Sequence, residues 1–145
     1  MTRTEKAVEI FQKQFNCSQA VFTAFRQVDK LDEETALKLA TVFGAGVAGT
    51  GSDLCGAVTG ALMALSMKHG RGDLRSVEAK ARTYELGRGF MAEFEKRNGS
   101  CVCEKILGIN IGLPQNLEKA RAERLFETRC LDVVRSAAEI LEKIL

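Results

Sequence analysis

Apolar residues return every three to four positions through nearly the whole chain, and nowhere do apolar and polar residues alternate for the length of a strand. That spacing restricts the fold to an all-α one, because a period near 3.6 gathers side chains on one face only if the backbone is helical. The single proline falls late, in G-L-P-Q-N, and interrupts none of the earlier segments. A compact bundle of about five to seven helices is expected, one domain over residues 1–145, and a chain that is 46% apolar can build its core without disulfides.

The first helix is predicted over residues 4–14, with Ala7, Val8, Ile10, Phe11 and Phe15 as its apolar stripe. Asn16 stands where an N-cap belongs for C-S-Q-A-V-F-T-A-F-R-Q, and Gln19 completes a capping box. Asp32 caps a third helix through E-E-T-A-L-K-L-A-T-V-F, which Gly44 ends. Ser52 or Asp53 is the expected cap of a fourth, L-C-G-A-V-T-G-A-L-M-A-L-S-M, stopping near Gly70. Ser76 opens a long fifth helix to about residue 97, closed by Asn98-Gly99, and a short helical turn follows Cys103 as far as Gly108. Asn116 then caps a last segment reaching Leu145, with a break near Thr128. On the fourth helix Gly56, Gly60 and Ala64 recur every four residues, a groove that admits another helix backbone and marks this Gly/Ala-rich helix as the central one. The same groove could instead serve a homodimer, making the chain a helical interaction protein.

Gly44, Gly46 and Gly49 spell G-x-G-x-x-G, the dinucleotide fingerprint, but that fingerprint works only where a strand leads into it and a helix follows at once. Here the preceding T-A-L-K-L-A-T-V-F reads as helix, so the run is a flexible lead-in to Cys55. The 21 basic and 19 acidic residues are dispersed, without the basic, aromatic-interleaved patch that nucleic acid requires. The opening M-T-R-T-E-K-A-V-E-I-F is amphipathic where an export signal is apolar, and no stretch of 18 apolar residues occurs, so a cytoplasmic protein with no membrane or nucleic-acid partner is expected. His69 suits a helix C-terminus, Met63 and Met67 suit a core face, and Tyr84 is ordinary helix content.

Five cysteines, Cys17, Cys55, Cys101, Cys103 and Cys130, form an odd and scattered set unlike a secreted disulfide framework. Cys17, Cys55 and Cys103 each fall at the predicted start of a helix, where unpaired N–H groups favour thiolate over thiol. Against this, a free cysteine packs well as a small hydrophobe, and Cys130 has the mid-helix, apolar-stripe position of one.

The pieces N-C-S-Q-A-V around Cys17, F-G-A-G leading to C-G-A-V-T-G with Cys55, C-E-K-I-L-G with Cys103, and C-L-D-V-V-R-S-A-A-E-I-L with Cys130 run in order through nearly the whole chain. In this they resemble the family of small redox-active proteins labelled C_GCAxxG_C_C. The resemblance implies a helical domain with a cysteine-based redox or metal role, makes Cys130 functional rather than filler, and leaves Cys101 as the extra cysteine. Two expectations follow. In one, Cys55, Cys17, Cys103 and Cys130 carry thiol/disulfide chemistry as a thiol oxidoreductase acting on an unnamed redox partner or small molecule, with Cys55 attacking and a neighbour resolving. In the other, the same four thiolates bind zinc or an iron–sulfur cluster.

Overall fold

The computed structural model describes Met1–Leu145 throughout. Helix makes up 68% of the chain and no strand forms, as the periodicity requires. The helices are α1 (Arg3–Gln12), α2 (Cys17–Phe25), α3 (Glu33–Ala40), α4 (Gly56–His69), α5 (Val77–Asn98), α6 (Cys103–Leu107), α7 (Pro114–Ala122) and α8 (Leu131–Ile144). A 3₁₀ turn, Thr41–Phe43, follows α3, and a π turn, Phe126–Cys130, precedes α8.

Capping chemistry explains most of these boundaries. Asn16 accepts from the Gln19 amide while the Gln19 side chain accepts from the Asn16 amide, so both ends of the capping box are closed at α2. Asp32 does the same single duty for α3 through the Thr35 amide, and left-handed Gly99 closes α5.

Eight helices exceed the expected five to seven, and the excess comes from the C-terminal segment. Proline at N1 starts α7 with Leu113 as N-cap, so Asn116 is inside the helix rather than capping it. The helix then ends in a Schellman pattern: the Leu125 amide donates to Ala120 O and the Arg124 amide to Arg121 O. Arg124 takes the left-handed position, φ 58°, where glycine is the usual residue and another costs about 1–2 kcal/mol. The predicted break near Thr128 is the π turn itself, in which the Cys130 amide reaches back to Leu125 O. Ser52 and Asp53 do not cap α4; Cys55 does, one position before the first turn.

Helix α4 is enclosed by α2, α5 and α8, with α1 bridging α2 and α8 and α3 resting on α2. Its small residues are what allow this. A Cβ on Gly60 would stand 2.7 Å from Ser18 O and 3.0 Å from Ser18 Cα, so the α2 backbone lies directly on that glycine. The groove therefore faces inward, with Gly56, Gly60 and Ala64 buried inside the chain, and it is not available for dimerisation. The main core also holds Phe90, Phe94, Ile10, Leu65 and Leu141. A second, smaller cluster of Cys103, Ile111 and Ala120 sits apart, with Ala45, Leu107 and Phe126 packed on it.

Gly60→Leu forces side-chain atoms into the α2 backbone and is expected to lower stability by about 1–3 kcal/mol. Gly89→Ala on exposed α5, where an added Cβ meets nothing within 4 Å, is expected to raise it by about 0.5–1 kcal/mol. Denaturant midpoints of the two variants moving in the same direction would refute this account of the groove.

Candidate functional site

Four helix ends meet at the seam between the two apolar clusters, and each brings a cysteine. Cys17 is the first residue of α2, Cys55 the N-cap of α4, Cys103 the first residue of α6, and Cys130 the last of the π turn leading into α8. All four line one cavity of about 1070 Å³. None is in a disulfide; Cys55, Cys103 and Cys130 are buried, and Cys17 is half-buried.

Three local devices make the meeting possible. The first is Gly56, where a Cβ would come within 3.0 Å of Cys17 Cβ and 2.9 Å of Ser18 N; its absence lets the start of α2 lie against the start of α4. The second is an isolated antiparallel bridge between Leu54 and Val102, in which the Cys55 amide donates to Cys101 O at 2.8 Å and the Cys103 amide to Asp53 O at 2.9 Å. This fixes the C-V-C stretch against the entry to α4. The third is the π turn, whose extra residue sets Cys130 at the wall shared with Leu131 and Val133.

The glycine run completes the enclosure. Ala45, Gly46, Val47, Ala48 and Gly49 are consecutively left-handed, so residues 44–51 coil tightly between the 3₁₀ turn and α4. The Gly51 amide returns to Ala45 O at 2.9 Å and the Asp53 amide to Gly46 O at 3.1 Å. No strand enters this loop, and the dinucleotide geometry is absent. Ala45 lines the thiol cavity, as do Gln14 (φ 78°) and Arg124, so three of the five non-glycine left-handed residues border it.

The thiols are electrostatically unequal. Cys55 is held below the usual cysteine range first by the Cys17 thiol acting as hydrogen-bond donor, and then by the Ala57 and Val58 amides and the Arg129 guanidinium, which together outweigh burial. Cys17 is pushed well above that range by its sulfur neighbours Cys130 and Cys55, with burial adding to the effect. Cys103 is raised to about 12, by burial first and then by the Cys55 and Cys130 sulfurs. Arg129 is itself fixed, donating to Asn98 O at 2.8 Å. The arrangement is one favoured thiolate beside one retained thiol.

Cys101 lies on the other side of the bridge, its sulfur 3.5 Å from Met91 O and outside the cavity lining. Its pKa is raised by burial, then by Glu95 and Cys55. His69, Met63, Met67 and Tyr84 are also absent from the lining. Arg121, Arg124 and Arg129 carry no motif; only their positions in the fold reveal them.

A helical domain whose helix starts present thiols to one cavity is the class that fold and site define. The chain matches the family described as putative redox-active protein (C_GCAxxG_C_C) over residues 15–144, and it belongs to that family. No curated protein and no solved structure matches it. No helix is long and apolar enough to cross a membrane.

Because Cys55 is the depressed thiol, its alkylation should set in at a lower pH than that of Cys17, Cys101 or Cys103, and fall away as pH drops through its lowered pKa. Cys103 should stay unlabelled until strongly alkaline pH. Cys17→Ala removes the hydrogen-bond donor and is expected to move the Cys55 titration upward, while Cys17→Ser, which keeps an O–H donor, restores much of the shift. Iodoacetamide labelling followed by mass spectrometry across pH checks this; identical Cys55 profiles in wild type and Cys17→Ala would contradict it.

Proposed function

We propose that this protein is a thiol oxidoreductase in which Cys55 is the attacking thiolate and Cys17 the resolving thiol. The observation that carries the reading is the pairing of helix-start Cys55 with Cys17 across the Gly56 contact, in a cavity that a partner can enter. The thiolate is the species that attacks a disulfide, and a neighbouring thiol then completes the exchange. Cys130, the other neighbour of Cys17, helps keep Cys17 protonated until Cys55 has reacted. Cys103 faces the same cavity as a reserve thiol, protonated at neutral pH.

A metal-binding reading is supported by the same convergence of four sulfurs, the soft donor set that zinc and iron–sulfur clusters take. As the side chains stand, no three such donors are grouped to hold an ion. Binding would require the sulfurs to draw in to about 2.3 Å from a common centre. The Gly56 contact, which sets Cys17 against the start of α4 and so pairs it with Cys55, favours the redox reading.

Protein purified anaerobically, treated with limited oxidant and digested without reductant, is expected to yield a Cys17–Cys55 disulfide, with loss of iodoacetamide labelling at those two positions. Labelling of Cys17, Cys55, Cys103 and Cys130 that instead rises together on adding a chelator would replace the redox reading with the metal one. A Cys55 that labels no faster than Cys101 at any pH would remove both.

A further inference from the structure

The cavity has a chemical asymmetry that the thiols do not explain. Its walls are apolar, with Phe11, Phe15, Ile111 and Phe126 among them, yet the solvent-exposed Arg121 and Arg124 also border it. Neither guanidinium is engaged by a carboxylate of this chain, although Lys119, on the same helix as Arg121, pairs with Glu123. Glu127 is the one acidic lining residue, leaving two positive charges to one negative. Arg124 moreover occupies the left-handed Schellman position that favours glycine, so the local backbone gives no reason for an arginine there.

We propose that the cavity admits a low-molecular-weight disulfide with an apolar body and a carboxylate, and that Arg121 and Arg124 bind the carboxylate while Cys55 attacks the disulfide. The proposal rests on the thiol reading above and adds its substrate class. Guanidinium groups suit a carboxylate because their paired donors match its two oxygens. In the reaction the Cys55 thiolate attacks one substrate sulfur, the substrate S–S bond breaks, and a Cys55–substrate mixed disulfide forms. The departing thiolate takes the proton of Cys17. Cys17 then attacks Cys55 Sγ, forming the Cys17–Cys55 disulfide and releasing the second substrate half as thiolate, which takes a proton from water. Two electrons pass from the protein dithiol to the substrate, and an external dithiol returns them.

The test compares two aromatic disulfides, dithiobis(nitrobenzoate), which carries carboxylates, and dithiodipyridine, which carries none, by stopped-flow absorbance of the released thiol. In Cys101→Ala protein the rate ratio of the first to the second is expected to fall about ten-fold on Arg121→Gln/Arg124→Gln, the loss of a charge-assisted contact, with the dithiodipyridine rate little changed. Arg82→Gln/Arg135→Gln removes the same charge at equally exposed sites that do not border the cavity and should leave the ratio near wild type. Arg124→Gly should raise the thermal midpoint while lowering the ratio, which a purely structural arginine would not do. An unchanged ratio in the Arg121/Arg124 double variant, or an equal fall in the remote one, overturns the carboxylate site alone. A Cys55 inert to dithiodipyridine overturns the thiol reading and this proposal with it.

Discussion

Two helix backbones touch at Gly56 and Gly60, and the rest of the site depends on that contact. Glycine inside a helix costs about 1 kcal/mol relative to alanine, so Gly60, with Gly56 at the first position, weakens α4 on its own terms. They are tolerable because α4 is held by its neighbours and not by its propensity: α2 lies on one side, α5 and α8 on the others. The beginning of α2 lies against the beginning of α4, with Cys17 Cβ 3.0 Å and Ser18 N 2.9 Å from where a Gly56 side chain would start. One steric condition thereby fills the core and sets the Cys17 sulfur beside that of Cys55.

Proximity alone would make these sulfurs equivalent, and a cluster of equivalent thiols would be poor at attacking anything. Each thiolate raises the pKa of its neighbours, so at most one is readily ionised. Which one is decided by what faces it. Cys55, as N-cap of α4, has the Ala57 and Val58 amides and the Arg129 charge on its side, while Cys17 faces the Cys130 and Cys55 sulfurs. Cys103 heads only a short helix, and desolvation prevails there. A helix start is therefore not enough to favour a thiolate: Cys17 and Cys103 both begin helices and are both raised, so a sequence rule that treats all first-turn cysteines alike overstates them.

The parts legible in the sequence are those in which one residue type performs one local task. Asn16 with Gln19, Asp32, and Asn98-Gly99 mark helix ends because the donors and acceptors they satisfy lie within a few residues. The small-residue spacing on α4 marked the helix that others approach. The cap of α4 was not legible, since Cys55 fills a role that capping preferences give to Ser52 or Asp53. Of the π turn only a break near Thr128 was legible, because one extra residue between Leu125 and Cys130 leaves the apolar spacing looking helical. The Leu54–Val102 bridge is too short for any alternation to announce it, and the arginines at the cavity were invisible as a group because only tertiary structure assembles them.

Local preference and tertiary demand conflict most sharply around the cavity. Gln14, Ala45 and Arg124 are left-handed without being glycine, and the helix delivering Cys130 is wound one residue too wide. Conformations of this kind cost roughly 1–3 kcal/mol each and persist only where the surrounding packing leaves no alternative. Outside the cavity wall and the adjoining 44–51 coil, where Val47 and Ala48 are also left-handed, the chain follows its own preferences: Gly99 and Gly108 take the left-handed helix ends at α5 and α6. The strained residues stand instead at the seam where the main core meets the smaller Cys103 cluster, the one place where closer packing would remove the cavity. A seam kept open at the expense of local geometry, with its thiols graded by their surroundings, is the arrangement that the proposed attack by Cys55 requires.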